Sequence, residues 1–129
     1  MNALFSQDEL ISFTQLLVYI AKADGNITND EEIFLNDFSK QSGLNWKNIK
    51  ERGIEEILCD FKEFSSRISV IQELVKLSMI DGDYSEPERI GIFTIAKLLL
   101  IPEEKVMQIE TWVKSGIDWV IEGQQLRIA

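Results

Sequence analysis

Apolar residues recur every three to four positions along most of this chain, which is the period of an amphipathic helix. In the first such stretch Leu10, Phe13, Leu17, Ile20 and Ala21 share one face. Ser6 and Glu9 stand before it at capping-box spacing: the hydroxyl accepts from the amide three residues on, and the carboxylate reaches back. Gly25 is the expected left-handed terminator. Thr28 and Glu31 repeat the box ahead of Ile33, Phe34, Leu35 and Phe38, with Gly43 as the stop. Asn45 is expected to cap a short helix carrying Trp46 and Ile49, interrupted at Gly53. Ile54, Ile57, Leu58, Phe61 and Phe64 then predict an amphipathic helix, broken at Ser65 and Ser66.

The second half follows the same logic. A helix is expected from about Arg67 to Met79, with Ile68, Ile71, Leu74, Val75 and Met79 inward, ending at Asp81 and Gly82. Ser85 and Glu88 form a third capping box, and Pro87 sits in the first turn, where its missing N–H is harmless. The run Ile90 to Leu100 is apolar nearly all round and reads as a central buried helix. Pro102, Glu103 and Glu104 open a last helix with Val106, Ile109, Trp112 and Val113 on its face. No sustained period-two alternation predicts a strand.

The halves superpose at a constant shift of 57 positions. Asp24 falls on Asp81, Gly25 on Gly82, Thr28 on Ser85 and Glu31 on Glu88; Ile33, Leu35, Phe38, Leu44 and Ile49 fall on Ile90, Ile92, Ile95, Ile101 and Val106. Caps and core positions that match together point to an internal duplication. The expected fold is therefore all-α: a compact bundle of about seven helices, built from two duplicated helical hairpins with pseudo-twofold symmetry and one shared core. It is read as a single domain over residues 1–129, with halves of about 6–64 and 66–121 and a tail or linker start at 122–129.

Composition narrows the chemistry. The 129 residues are 45% hydrophobic and 27% charged, a globular balance. A net charge of −9 disfavours nucleic acid and anionic membrane surfaces as partners, since both are held by Lys and Arg. No histidine is present, which removes Cys/His zinc sites and Ser-His-Asp catalysis. The single cysteine, Cys59, is expected as a buried free thiol. No leader-like or bilayer-length apolar segment stands out, so a soluble cytoplasmic domain without direct membrane insertion is expected.

The paired turns, Ala23 to Glu31 and Ile80 to Glu88, share the pattern Asp-Gly-x-apolar-Ser/Thr-x-x-Glu between helices. This pattern, occurring twice, resembles the TerB-like family, named after a tellurite-resistance protein and found also as the N-terminal domain of a membrane-anchored DnaJ-like co-chaperone. The flanking helices extend the resemblance over most of the chain. It implies an all-helical, non-enzymatic domain of about seven helices, acting in metal-stress or membrane-associated complexes, with divalent-metal binding at the acidic turns. By position the motif residues are Asp24, Gly25, Thr28 and Glu31, then Asp81, Gly82, Ser85 and Glu88. The second turn departs from the first in placing Tyr84 where Ile27 stands.

Two readings of these turns stay open. As EF-hand loops they fail: the sixth position is Asn29 or Glu86 instead of glycine, and the twelfth is Leu35 or Ile92 instead of glutamate. As another oxygen site, Asp24, Glu31, Asp81, Asp83 and Glu88 are the candidate ligands of a divalent cation such as Ca²⁺ or Mg²⁺, provided the turns converge. As capping devices, the same residues need no metal at all. Nucleophile–base pairs and a sugar-binding platform are both missing from the pattern, so catalysis is not expected. Tyr84, Trp112 and Trp119 are the candidate anchors for an unidentified protein partner, since Tyr and Trp are enriched at binding hot spots; ordinary packing is their plain alternative. The expected function is a non-catalytic, metal-responsive interaction module linked to metal or tellurite stress. The alternative is a structural or adaptor domain of a larger protein, with no metal role.

Overall fold

Residues 5–23, 27–80 and 84–127 are described by the computed structural model of the chain. They form six α-helices and one 3₁₀ turn, with no strand among the described residues. The helices are α1 (Gln7–Ala23), α2 (Asn29–Ser42), α3 (Ile54–Leu58), α4 (Phe64–Ile80), α5 (Glu86–Leu98) and α6 (Glu103–Gln125); the 3₁₀ turn is Trp46–Asn48. The chain divides into two units, Met1–Ser66 and Arg67–Ala129.

In the first unit α1 packs against α2, α3 and the 3₁₀ turn. Ser6 caps α1: its amide donates to Glu9 Oε1 at 3.0 Å, and its hydroxyl accepts from the Glu9 amide at 3.2 Å. Phe5, just ahead of that cap, folds back to stack on Phe13 at 5.0 Å and meets Phe61 edge-on at 5.9 Å. An apolar residue immediately before a cap commonly closes back on the first turns of its helix, and here the closure places Phe5 in an aromatic core with Phe13, Phe38 and Phe61. Gly43 ends α2 in the left-handed region at φ 77°, as its sequence position predicts. Asn45 caps the 3₁₀ turn, and Trp46 is buried with its indole N–H donating to Asn36 Oδ1 at 2.8 Å.

The helix expected to reach Phe64 stops much earlier, at Leu58. The bonds from Asp60 N–H to Ile57 and from Phe61 N–H to Leu58 tighten the chain into i→i+3 turns. That turn drops Phe61 into the core and leaves Cys59 exposed instead of buried. Ser65 and Ser66 do not break a helix; they lie in the first turn of α4, and Phe64 is exposed.

In the second unit α5 packs against α6. The buried apolar side chains are Val70, Ile71, Leu74 and Val75 of α4, Ile92, Ile95 and Ala96 of α5, Leu99 and Ile101, and Val106, Ile109 and Val113 of α6. The expectation of a wholly buried α5 is corrected: Ile90 and Leu98 are exposed, and the helix buries one face only. Trp112 likewise leaves the face assigned to it. It stands one residue before the buried Val113, about 100° around α6 from it, and is 56% exposed.

A Schellman motif closes α5. Ile101 N–H donates to Ala96 at 2.8 Å and Leu100 N–H to Lys97 at 3.0 Å. The left-handed position falls on Leu100, at φ 61°, with its side chain 78% exposed. Glycine suits this backbone better, while costing more order on folding. Leu100→Gly is therefore expected to raise stability by about 0.5–1 kcal/mol. A urea midpoint unchanged or lowered by the substitution would contradict this.

Candidate functional site

The two turns that repeat in sequence lead into helices that start alike. At α2 the Thr28 hydroxyl accepts from the Glu31 amide at 3.2 Å, and Glu31 Oε1 accepts from the Thr28 amide at 3.0 Å. At α5 the Ser85 hydroxyl accepts from the Glu88 amide at 3.3 Å, and Glu88 Oε1 accepts from the Ser85 amide at 3.1 Å. Glu31 and Glu88 thus each commit one carboxylate oxygen to a helix start, and each sits where the positive end of the helix dipole favours a negative charge. Asp24, Asp81 and Asp83, the other candidate ligands, lie outside the described residues, as do Gly25 and Gly82. Among the described residues no group of three or more Asp, Glu or Cys side chains gathers into a metal site.

Tyr84 is engaged within its own unit. Its hydroxyl donates to Glu110 Oε2 at 2.6 Å, linking the second turn to α6. Arg89 clamps the same carboxylate: Nε donates to Oε2 at 2.9 Å and Nη2 to Oε1 at 3.2 Å. The guanidinium also lies over the Phe93 ring at 4.6 Å. Burial, and then the Glu110 carboxylate, push the Tyr84 hydroxyl well above the usual phenol range, since both penalise a phenolate. Ile27, the counterpart in the first turn, carries no such hydroxyl. The partners of Tyr84 lie on α5 and α6, so nothing near Tyr84 in sequence pointed to Glu110.

A second polar cluster lies in the first unit. Arg52 Nη1 donates to Asp60 Oδ2 at 2.6 Å and to Gln15 Oε1 at 2.9 Å. The Ser12 hydroxyl donates to the same Asp60 oxygen at 2.6 Å, and Gln15 Nε2 donates to the Lys50 carbonyl at 3.0 Å. The Arg52 hydrogen bond holds the Asp60 carboxyl below the usual carboxylate range, against the opposing effect of partial burial. Such a carboxylate is a poor base, so Ser12 beside it is not an activated nucleophile. A depressed folded-state pKa contributes stability above the unfolded value of about 3.9, and that contribution is lost as pH falls through the folded value. Acidification below about pH 4 is thus expected to lower the urea midpoint, and Asp60→Asn to flatten that acid limb. Identical acid limbs in the two proteins would argue against the Arg52–Asp60 pair.

The largest exposed aromatic surface is on α6. Trp119 is 74% exposed and stands seven residues from Trp112, on the same side of the helix. Leu126, seven residues further on, is 86% exposed. Between them Gly116 and Gly123 fall on the same line. The signal was present in the sequence as a repeat, Trp-Val-x-x-Gly at 112 and again at 119, masked by reading 122–129 as a tail. In the structure α6 runs through both glycines to Gln125. No helix among the described residues is long and apolar enough to cross a membrane. Comparison of the chain with protein-family models, with curated proteins and with solved structures finds no match.

Proposed function

We propose that this chain is a non-catalytic, cytoplasmic interaction module of TerB-like type, with α6 as its contact surface. The observation that carries the reading is the pair Trp112 and Trp119: two large aromatic side chains, one heptad apart, exposed together on one helix face. Monomeric domains rarely leave such side chains uncovered in a row, and Trp is the residue most enriched at binding hot spots. Tyr84 is assigned a bracing role at α6, with its hydroxyl given to Glu110, in place of direct partner contact.

Duplication of a hairpin is part of the same proposal. The bounds of α4 repeat those of α1 at an offset of 57 positions, and α5 begins 57 positions after α2. Burial repeats as well: Ser12, Phe13, Thr14, Leu16, Leu17 and Val18 are buried, and so are Ser69, Val70, Ile71, Glu73, Leu74 and Val75 at the same offset. Helices that share both caps and buried faces at one constant offset are what a copied hairpin leaves behind.

The acidic turns are proposed as the place where a divalent cation acts on the module. Matching boxes at Glu31 and Glu88 support this only by presenting equivalent acidic helix starts in both units. The test is thermal unfolding after chelation and then with Ca²⁺, Mg²⁺, Mn²⁺ or Zn²⁺ added singly. A cation at about a hundred times its Kd raises stability by about 2.7 kcal/mol, a shift of roughly ten degrees for a small domain. The shift is expected with one cation and is expected to vanish in Asp24→Asn/Asp81→Asn. A flat response to all four removes the cation from the function and leaves an adaptor domain.

A further inference from the structure

The α6 face carries a feature that the fold of its own chain does not need. Gly116 and Gly123 lie inside a continuous helix, where glycine is the least favourable residue after proline. A Cβ added at either position meets no atom within 4 Å. Among the described residues neither glycine is required by a close approach, and neither has a positive φ. Yet both fall on the line Trp112, Gly116, Trp119, Gly123, Leu126, with spacings of four, three, four and three. Large side chains alternate along it with positions that have no side chain. That is a row of knobs and holes on a single helix face, and a row of this kind is complementary to itself.

We infer that the occupant of this face is a second copy of the chain, its α6 packed antiparallel against the first. The inference rests on the contact-surface reading above and names its partner. Charge favours this occupant and this direction. At a net charge of −9, two copies repel through most of their surfaces. The five residues of the knob-and-hole line, Trp112, Gly116, Trp119, Gly123 and Leu126, carry no charge, and the charges of that stretch (Lys114, Asp118, Glu122) lie off it. An antiparallel pairing that sets Trp112 level with Trp119 of the second copy brings Glu104 level with Arg127. It also brings Lys105 to a level about 6 Å along the axis, four residues, from that of Glu122. Both pairs occur twice by symmetry. A parallel pairing would set Glu104 against Glu104 and Glu122 against Glu122, and would align the two helix dipoles.

The size of the contact sets its strength. The line is about 21 Å long, from fourteen residues at 1.5 Å each. Two copies, each covering two Trp and one Leu with their small neighbours, bury about 1,000 Å² in total, at the low end for specific complexes. A reversible dimer with Kd on the order of tens of micromolar is expected.

Sedimentation velocity on the full chain from about 5 to 500 μM brackets that constant. The weight-average mass is expected to rise from the monomer's 14.8 kDa towards twice that value. Trp119→Glu is expected to stay monomeric across the range. Gly116→Leu is the sharper variant: it raises helix propensity but fills the hole, so it is expected to keep or strengthen the helical signal and still abolish the dimer. A monomer at the highest concentration, or a dimer that persists in either variant, overturns the inference. Direction is read from nitroxides at Gln108→Cys in a Cys59→Ser background. Antiparallel helices separate the labels by more than about 20 Å, whereas a parallel pair holds them at about 10 Å and overturns the antiparallel register. Acrylamide quenching of Trp112 and Trp119 separates the two levels of the proposal. Quenching in dilute protein that persists undiminished in a concentrated monomer overturns self-association alone. Shielding even in dilute monomer overturns the contact-surface reading as well.

Discussion

Replacing Phe13 with alanine is expected to remove about 4 kcal/mol of stability, within the range seen when a buried Phe is cut to Ala. The ring is 2% exposed and touches rings on two sides: Phe5 stacked at 5.0 Å and Phe38 tilted at 5.9 Å. Its removal deletes two aromatic pairs, each worth about 0.5–1.5 kcal/mol beyond the area they bury. The cavity cannot easily collapse, because Phe5 is itself held edge-on by Phe61. Domains of this size hold about 5–15 kcal/mol in all, so the variant should be marginal at room temperature. Urea unfolding followed by far-ultraviolet circular dichroism is the measurement. The midpoint should fall steeply with little change in slope, and Phe13→Leu, which keeps most of the volume, should cost less than half as much. A loss below about 1 kcal/mol for Phe13→Ala would mean that the four-ring core is not assembled as described.

The second large loss is expected at Glu110→Ala, at about 3 kcal/mol. Glu110 is nearly buried, its side chain 12% exposed, and it accepts one bond from Tyr84 and two from Arg89. A buried hydrogen bond to a charged group contributes about 1.5–3 kcal/mol, and the Tyr84 bond is of this kind; the Arg89 clamp, its guanidinium open to solvent, adds less. The deletion also leaves the Tyr84 hydroxyl, itself partly buried, without the acceptor that orients it. Glu110→Gln keeps the shape and one acceptor, so it is expected to lose about half as much. A double-mutant cycle with Tyr84→Phe isolates the turn-to-helix link and should return a coupling of about 1 kcal/mol. Coupling near zero would mean that Tyr84 does not brace α6, and Tyr84 would return to the candidates for partner contact.

What could be read early and what could not divides by distance along the chain. The three capping boxes, at Ser6, Thr28 and Ser85, span three residues each, and all three form. Gly43 ends its helix by a conformation that glycine adopts without a Cβ clash, again a local matter. Phe5 was within reach on the same basis, as an apolar residue set directly before a cap. The heptad of Trp and Gly on α6 is also present in the letters, but its second half runs into 122–129, which by itself reads as a tail.

Features set by distant parts of the chain have a different origin. Whether Phe61 continued a helix or turned into the core depended on the Phe5 ring that it meets edge-on, from a residue far away along the chain. Cys59 became exposed as a consequence of that turn. Trp112 sat within one position of a buried valine, and a single residue is about 100° of helix. Which of the two faced inward depended on where α5 lies against α6. Tyr84 and Glu110 are separated by 26 positions, and Ser12 and Asp60 by 48. Neither pairing leaves a spacing rule in the sequence.

The sequence by itself determined the class of structure and much of its punctuation: helices, the starts marked by capping boxes and several of the stops, and a repeated pattern of letters at a constant offset. These follow from backbone bonding and side-chain sterics within a few residues, which are complete in the local sequence. Only the tertiary structure decided which apolar residues are covered and which carboxylates are shared. Burial and ion pairing are properties of surfaces brought together by the whole fold, and one helical position is enough to turn a core side chain into a contact side chain. For this protein that difference matters most on α6, where Val113 holds the unit together and Trp112 is left facing out.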